Sequence, residues 1–181
     1  MKLTQTRVQD CYIVEWERFD DNRGFFQVPF NSIEFQEKTG IEFNVIQENE
    51  SSSKKGTIRG LHFQKPPFEQ AKLVRCLYGE ILDVIVDIRP NSPSYGEVVT
   101  VQLNGGLRRS VFVPRGCAHG FSAKNRSTFQ YKVDNIYNKE SECGIIYNDP
   151  QLNINWEVGT KHKISEKDLL LPFFKDIDIY K

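Results

Sequence analysis

Three histidines stand in the chain, His62, His119 and His162. Two of them sit in stretches whose neighbours suggest chemistry. His62 lies in KKGTIRGLHFQKPPFEQAK, from Lys54 to Lys72, where Arg59, Gln64 and Lys72 accompany it within a short span broken by two Gly and two Pro. Histidine is the side chain best suited to taking or giving a proton near neutral pH. Lys72 is either part of this cluster or a solvated surface lysine. Read as a strand over Thr57–Gln64, the segment places His62 and Gln64 on one face. Arg59 then lies on the opposite face unless Gly60 introduces a bulge. His119 occurs in VPRGCAHGF. Asp83 lies in ILDVIVDIRP, with Leu82, Val84, Val86 and Ile88 on one face and Asp83, Ile85 and Asp87 on the other. An acid on so apolar a strand needs a partner if buried, which makes Asp83 a candidate to orient a histidine. The alternative is a half-solvated face. Tyr131 and Tyr137 lie in FQYKVDNIY, and on pattern alone read as rings packed with their hydroxyls at a wet edge.

The spacing Pro114-x-Gly116-x-x-His119 resembles the second motif of the cupin barrels. Metal-binding cupins add an H-x-H pair in their first motif, and here that position reads His62-Phe63-Gln64. A catalytic metal usually takes three protein ligands, so no metal site is expected and the histidines are read as proton-transfer groups.

The elements that must hold these residues read as short strands at intervals of about ten residues, the pattern of a sandwich or barrel. Strands are expected at Cys11–Glu17, Phe25–Phe30, Phe43–Glu48, Thr57–Gln64, Glu97–Leu103, Arg109–Val113, Gly120–Ala123 and Thr128–Asp134. Lys72–Tyr78 and Ile81–Ile88 flank Gly79-Glu80 and read as a hairpin, and Asn49–Lys55 reads as a polar loop. A short helix over Ile33–Lys38 is expected between a cap at Asn31 or Ser32 and Gly40, and another over Ser165–Leu171. The 181 residues suit one all-β domain over 1–181 with a few short peripheral helices. Twenty-four Lys and Arg balance twenty-four Asp and Glu, which argues against nucleic acid or an anionic membrane as partner. The chain has no apolar run of membrane-spanning length and no signal peptide, so a cytoplasmic location is expected. The four cysteines have no C-x-x-C spacing and are expected to be reduced thiols.

A longer set of motifs resembles one family, the dTDP-4-dehydrorhamnose 3,5-epimerases and their relatives acting on nucleotide-linked 4-keto sugars. It comprises DNRGFF (21–26), Q-x-N-x-S-x-S (47–53), GTIRGLHFQ (56–64), QAKLV (70–74), LDVIVDIRPNSPSYG (82–96), VPRGCAHGF (113–121), YKVDNIY (131–137), NDP (148–150) and SEKD (165–168). The resemblance implies a metal-free cupin jelly-roll barrel that forms a homodimer, binds a nucleotide-diphosphate sugar and uses no cofactor. It implies His62 as general base oriented by Asp168, Tyr131 as general acid, Lys72 on the enolate oxygen, and His119 with Asp83 as a second polar pair. Arg23, Gln47, Asn49 and Arg59 would hold the diphosphate and nucleotide, with Tyr137 and Phe26 near the base and Glu142 among the substrate contacts. Some of these would come from the partner chain. Val28 stands where the family commonly has a Glu near the thymine, which keeps a GDP-linked 4-keto-6-deoxyheptose as an alternative substrate. A non-catalytic cupin that only binds a nucleotide sugar is the alternative of another class.

Overall fold

Apolar residues alternate along the central strands in a way that buries both faces, so two sheets can stack with further layers outside them. The computed structural model describes residues 1–178. In chain order the strands are β1 (Lys2–Gln5), β2 (Tyr12–Glu15), β3 (Arg18–Asp21), β4 (Gly24–Gln27), β5 (Gln47–Ser53), β6 (Ile58–Gln64), β7 (Lys72–Tyr78), β8 (Glu80–Asp87), β9 (Val98–Asn104), β10 (Arg109–Val113), β11 (Cys117–Ala123), β12 (Ser127–Val133) and β13 (Glu142–Gly144). Two short helices, α1 (Ser32–Thr39) and α2 (Glu166–Leu169), lie at the periphery. One sheet has six strands in the order β1-β2-β10-β7-β12-β5, the other five in the order β13-β6-β11-β8-β9, and among the described residues β3 pairs only with β4. The pairing is antiparallel throughout these sheets, as expected for a jelly-roll barrel.

Three apolar layers follow from the alternation. Between the sheets, Val74 and Cys76 of β7 meet Ile81 and Ile85 of β8, Val111 and Val113 of β10 and Phe121 of β11. Outside the five-stranded sheet, Leu82, Val84 and Val86 pack against Ile145, Leu152, Trp156 and Phe174 of the C-terminal segment. Outside the six-stranded sheet, Leu73 and Phe112 pack against Phe35 of α1 and Phe43. Asn31 caps α1 by accepting from the Ile33 and Glu34 amides, and Gly40 ends it in the left-handed region (φ +74°).

Four expectations need correction. The stretch Lys72–Ile88 is not a hairpin: β7 lies in one sheet and β8 in the other, and Gly79 turns the corner between them. The supposed polar loop Asn49–Lys55 is instead largely β5, which pairs with β12 along its whole length. It sits at a sheet edge, where one flank needs no partner strand and polar side chains can remain wet. Residues 41–46 are outside any strand, so the expected strand over Phe43–Glu48 is realised only from Gln47. The Asp83–Asp87 face is not half-solvated, since both carboxylates are fully buried.

Candidate active site

Gly60 decides how β6 presents its side chains. The register between β6 and β11 shifts between the His119 and Phe121 pairings. That bulge lets Arg59 and His62 both reach one pocket, while Ile58, Leu61 and Phe63 pack into the layer outside the five-stranded sheet. Only glycine suits the position: its φ is +100°, and a Cβ there would lie 2.7 Å from the His119 carbonyl oxygen and 2.8 Å from the Gly120 Cα. Gln64 turns away from the chemistry. Its amide donates to the Phe68 and Ile136 carbonyls and accepts from the Asn138 amide, fixing the loops behind β6.

The pocket encloses about 470 Å³ between the two sheets. From the five-stranded sheet come His62 and His119, which sit directly opposite each other across β6 and β11. Each imidazole has its own carboxylate. His62 Nε2 lies 2.9 Å from Asp168 Oδ1, and His119 Nε2 lies 2.8 Å from Asp83 Oδ1. A carboxylate at Nε2 holds the proton there, which leaves the lone pair on Nδ1. The His119 ring also stacks on Phe129, with centroids 5.9 Å apart.

Asp168 arrives from the far end of the chain through a short strap. The Ile58 amide donates to the Lys163 carbonyl and the Lys163 amide to the Gly56 carbonyl, at 2.9 and 2.7 Å. Ser165 then caps α2 by accepting from the Asp168 amide. Asp168 Oδ2 accepts the Gly60 amide at 3.2 Å, so both carboxylate oxygens are used. Burial pushes the Asp168 carboxyl up, but the hydrogen bond and charge of His62 and the Gly60 amide outweigh it and hold the acid below its usual range.

The six-stranded sheet supplies the facing wall with Lys72 from β7 and Tyr131 from β12. The Lys72 ammonium has no hydrogen bond or ion pair among the described residues, and burial brings it down to about 8, against the opposing pull of Asp83 and Glu142. Burial, with the charge of Glu142, raises the Tyr131 phenol and keeps it protonated. Arg59 spans the sheets at the mouth, donating to Ser53 Oγ and the Ser52 carbonyl, with no carboxylate to neutralise it among the described residues. Glu142 of β13 accepts from both Tyr137 Oη, at 2.7 Å, and Lys167 Nζ, at 2.5 Å.

Seven expected residues therefore meet at one pocket or its wall: His62, Asp168, His119, Lys72, Tyr131, Arg59 and Glu142. Asp83 stands behind His119 and Tyr137 on the outer side of Glu142. Gln47 and Asn49 hydrogen-bond to each other on β5, beside Glu50 and Ser51, which do line the pocket. Arg23 and Phe26 do not reach it in this chain. They ride on the β3–β4 hairpin, where Arg23 pairs with Asp21 and Phe26 is 66% exposed. Lys163 and Lys167, not singled out in the sequence, also line the pocket. Lys167 was legible only as the neighbour of Asp168. Among the described residues no group of three His, Cys, Asp or Glu could hold a metal ion, and no helix is long and apolar enough to cross a membrane.

Two histidine–carboxylate pairs on one wall and an unpaired cation with a protonated phenol on the other can move protons at a carbon held between them. Comparison with known proteins leads to the same chemistry. Residues 5–176 match the family model described as dTDP-4-dehydrorhamnose 3,5-epimerase. The chain is 41% identical over 181 residues to the dTDP-4-dehydrorhamnose 3,5-epimerase of Shigella flexneri, covering 99% of each. The crystal structure of that enzyme from Elizabethkingia anophelis NUHP1 superposes with a TM-score of 0.96 at 44% identity, covering 99% of both chains. A dTDP-6-deoxy-D-glucose-3,5-epimerase from Legionella pneumophila Philadelphia 1, solved in complex with dTDP-4-keto-L-rhamnose, superposes with a TM-score of 0.92 at 40% identity, covering 98% of this chain and 94% of that one. With the jelly-roll barrel, the two dyads and these likenesses along nearly the whole length, the chain belongs to the dTDP-4-dehydrorhamnose 3,5-epimerase family.

Proposed function

We propose that this chain inverts C3 and C5 of a dTDP-linked 4-keto-6-deoxy hexose by proton transfer through an enolate, with His62 and Tyr131 as the two proton-transfer groups. The observation that carries the reading is their placement: His62 comes from one sheet and Tyr131 from the other, with the pocket between. A C4 ketone acidifies the hydrogens on both adjacent carbons. His62, its Nε2 proton held by Asp168, removes one of them through Nδ1. The charge collects on the C4 oxygen, where the Lys72 ammonium and His119 stabilise it, a kind of interaction often worth about 3–4 kcal/mol. Tyr131 then donates from the opposite face, and the carbon inverts. Arg59 suits the diphosphate through paired, charge-assisted bonds, and Lys163 adds positive charge beside it.

The nucleotide contacts expected from Arg23 and Phe26 belong, in this reading, to a second copy of the chain. Support comes from the β3–β4 hairpin, which pairs with no other strand among the described residues and exposes Phe19, Phe25 and Phe26 at 58, 58 and 66%. An apolar arm of this kind is suited to docking on another subunit. Light scattering after size exclusion is expected to give a dimer.

The test is conversion of dTDP- and GDP-linked 4-keto-6-deoxy sugars, supplied separately and followed by NMR of the C3 and C5 configurations. Inversion with the dTDP sugar is the expected result. Binding without inversion would replace this reading with that of a nucleotide-sugar-binding barrel, and inversion of the GDP sugar alone would assign the base specificity to the change at Val28.

A further inference from the structure

Asp83 is more than a partner for His119. It is fully buried, and while Oδ1 meets His119, Oδ2 has no hydrogen-bond partner among the described residues. A buried carboxylate oxygen left alone is costly, and native folds rarely keep one without use. The Lys72 ammonium likewise has no hydrogen bond or ion pair among the described residues. Lys72 shares its strand face with Val74 and Cys76, and Asp83 shares its face with Ile81 and Ile85. All four apolar residues belong to the layer between the sheets, so the acid and the base project into the same interior from opposite walls.

Two carboxylates among the described residues act on the Lys72 ammonium, Asp83 and Glu142, with Asp83 the larger. Glu142 of β13 also acts on the ammonium, but its charge is already met by Lys167 and by the Tyr137 hydroxyl. Cys117 of β11 is held as a neutral thiol by burial. Tyr131 of β12 stays a neutral phenol. His62 and His119 supply no negative charge. A long lysine without a counter-charge would extend toward water at the mouth.

We propose that one buried carboxylate serves both donors to the C4 oxygen: Asp83 orients His119 through Oδ1 and, through its charge and its free Oδ2, keeps Lys72 extended into the barrel and protonated. Asp83 is thus a positioning residue for Lys72. The inference rests on the enolate reading for its consequence, but the coupling of Asp83 to Lys72 is measurable without substrate.

The experiment follows the lysine Cε resonances of the whole protein by 13C NMR from pH 6 to 11, with Lys72 assigned by Lys72→Met. Lys72 in Asp83→Asn is expected to titrate about one pH unit lower than in the parent, the effect of removing a nearby opposite charge, and Asp83→Glu is expected to restore it. The alkaline limb of kcat/KM should move with the titration, which a purely structural role would not cause. Should Asp83→Asn fail to fold, Asp83→Ser, which also removes the charge, carries the same reading of Lys72. An unmoved Lys72 titration would overturn the proposal even in an active enzyme. A shifted titration in a protein that inverts no sugar would uphold the coupling and refute only the epimerase reading.

Discussion

Asp168→Asn isolates the base, because Asp168 uses both oxygens. Oδ1 lies 2.9 Å from His62 Nε2 and Oδ2 accepts the Gly60 amide at 3.2 Å. Asparagine fills the same footprint with one acceptor and one donor. If its oxygen takes the Gly60 amide, its NH2 faces His62 Nε2, which must then accept. The imidazole proton moves to Nδ1 and the base loses its lone pair. The reverse orientation keeps the tautomer but sets two donors against each other, leaving a buried N–H unpaired at about 1–3 kcal/mol. Either way the imidazolium formed during the reaction loses a charge-assisted bond worth about 1.5–3 kcal/mol. Together these raise the barrier by about 2.5–6 kcal/mol, a fall in kcat of about 10²–10⁴. The assay is deuterium wash-in at C3 and C5 of the dTDP-linked 4-keto sugar in deuterated water, with circular dichroism to confirm the fold. KM should change little, since the groups at the mouth are untouched. A variant whose kcat stays within about tenfold of the parent would refute the argument that Asp168 sets the tautomer.

Three further outcomes follow from the same geometry. Tyr131→Phe removes the donor on the opposing wall but not the base, so deuterium should still enter at the carbons His62 reaches, with configuration retained; NMR that finds inversion at the parent rate would remove Tyr131 from the mechanism. Gly60→Ala forces a Cβ to within 2.7 Å of the His119 carbonyl at φ +100°, and thermal or urea unfolding should show a loss of about 1–3 kcal/mol together with weakened exchange. Asp87 is drawn from 3.8 to about 2: burial raises it, but Arg89, Ser92 and Ser94 donate to it and prevail. A depressed acid stabilises the fold above its unfolded value and loses that contribution as the pH falls through its folded value. Urea titrations of the parent should therefore lose about 2 kcal/mol between pH 4 and pH 2 that Asp87→Asn does not.

The pocket residues were legible because their types are rare and their neighbourhoods unusual. His62 stands in a polar run with Arg59, Gln64 and Lys72, Asp83 stands on a largely apolar strand, and the open question of which face Arg59 takes was settled by the bulge at Gly60. The helix starts, and the end of α1, were legible for a local reason, since Asn31, Gly40 and Ser165 each satisfy backbone groups within a few residues, whereas α2 stops at Leu169, short of the expected Leu171. Sheet membership was not, because it depends on partners far away in the chain. Gly79-Glu80 reads as a hairpin turn in isolation, yet β7 finds β10 and β12 while β8 finds β9 and β11. The β5 strand was hidden because QENESSS has no apolar face, and an edge strand needs none. The strand β13 is three residues long, too short for any periodicity. The link between Asp168 and His62 spans more than a hundred positions and came from the family resemblance rather than from spacing.

The most direct test of the central claim is deuterium wash-in with the parent protein and His62→Asn, each mixed with the dTDP-linked 4-keto-6-deoxy hexose in deuterated water, with dTDP binding measured in parallel by calorimetry. Label at C3 and C5 in the parent, lost in His62→Asn while dTDP still binds, is the expected result. Undiminished label in His62→Asn would contradict the assignment of the base, and the absence of label in a parent protein that binds dTDP would contradict the enolate account as a whole.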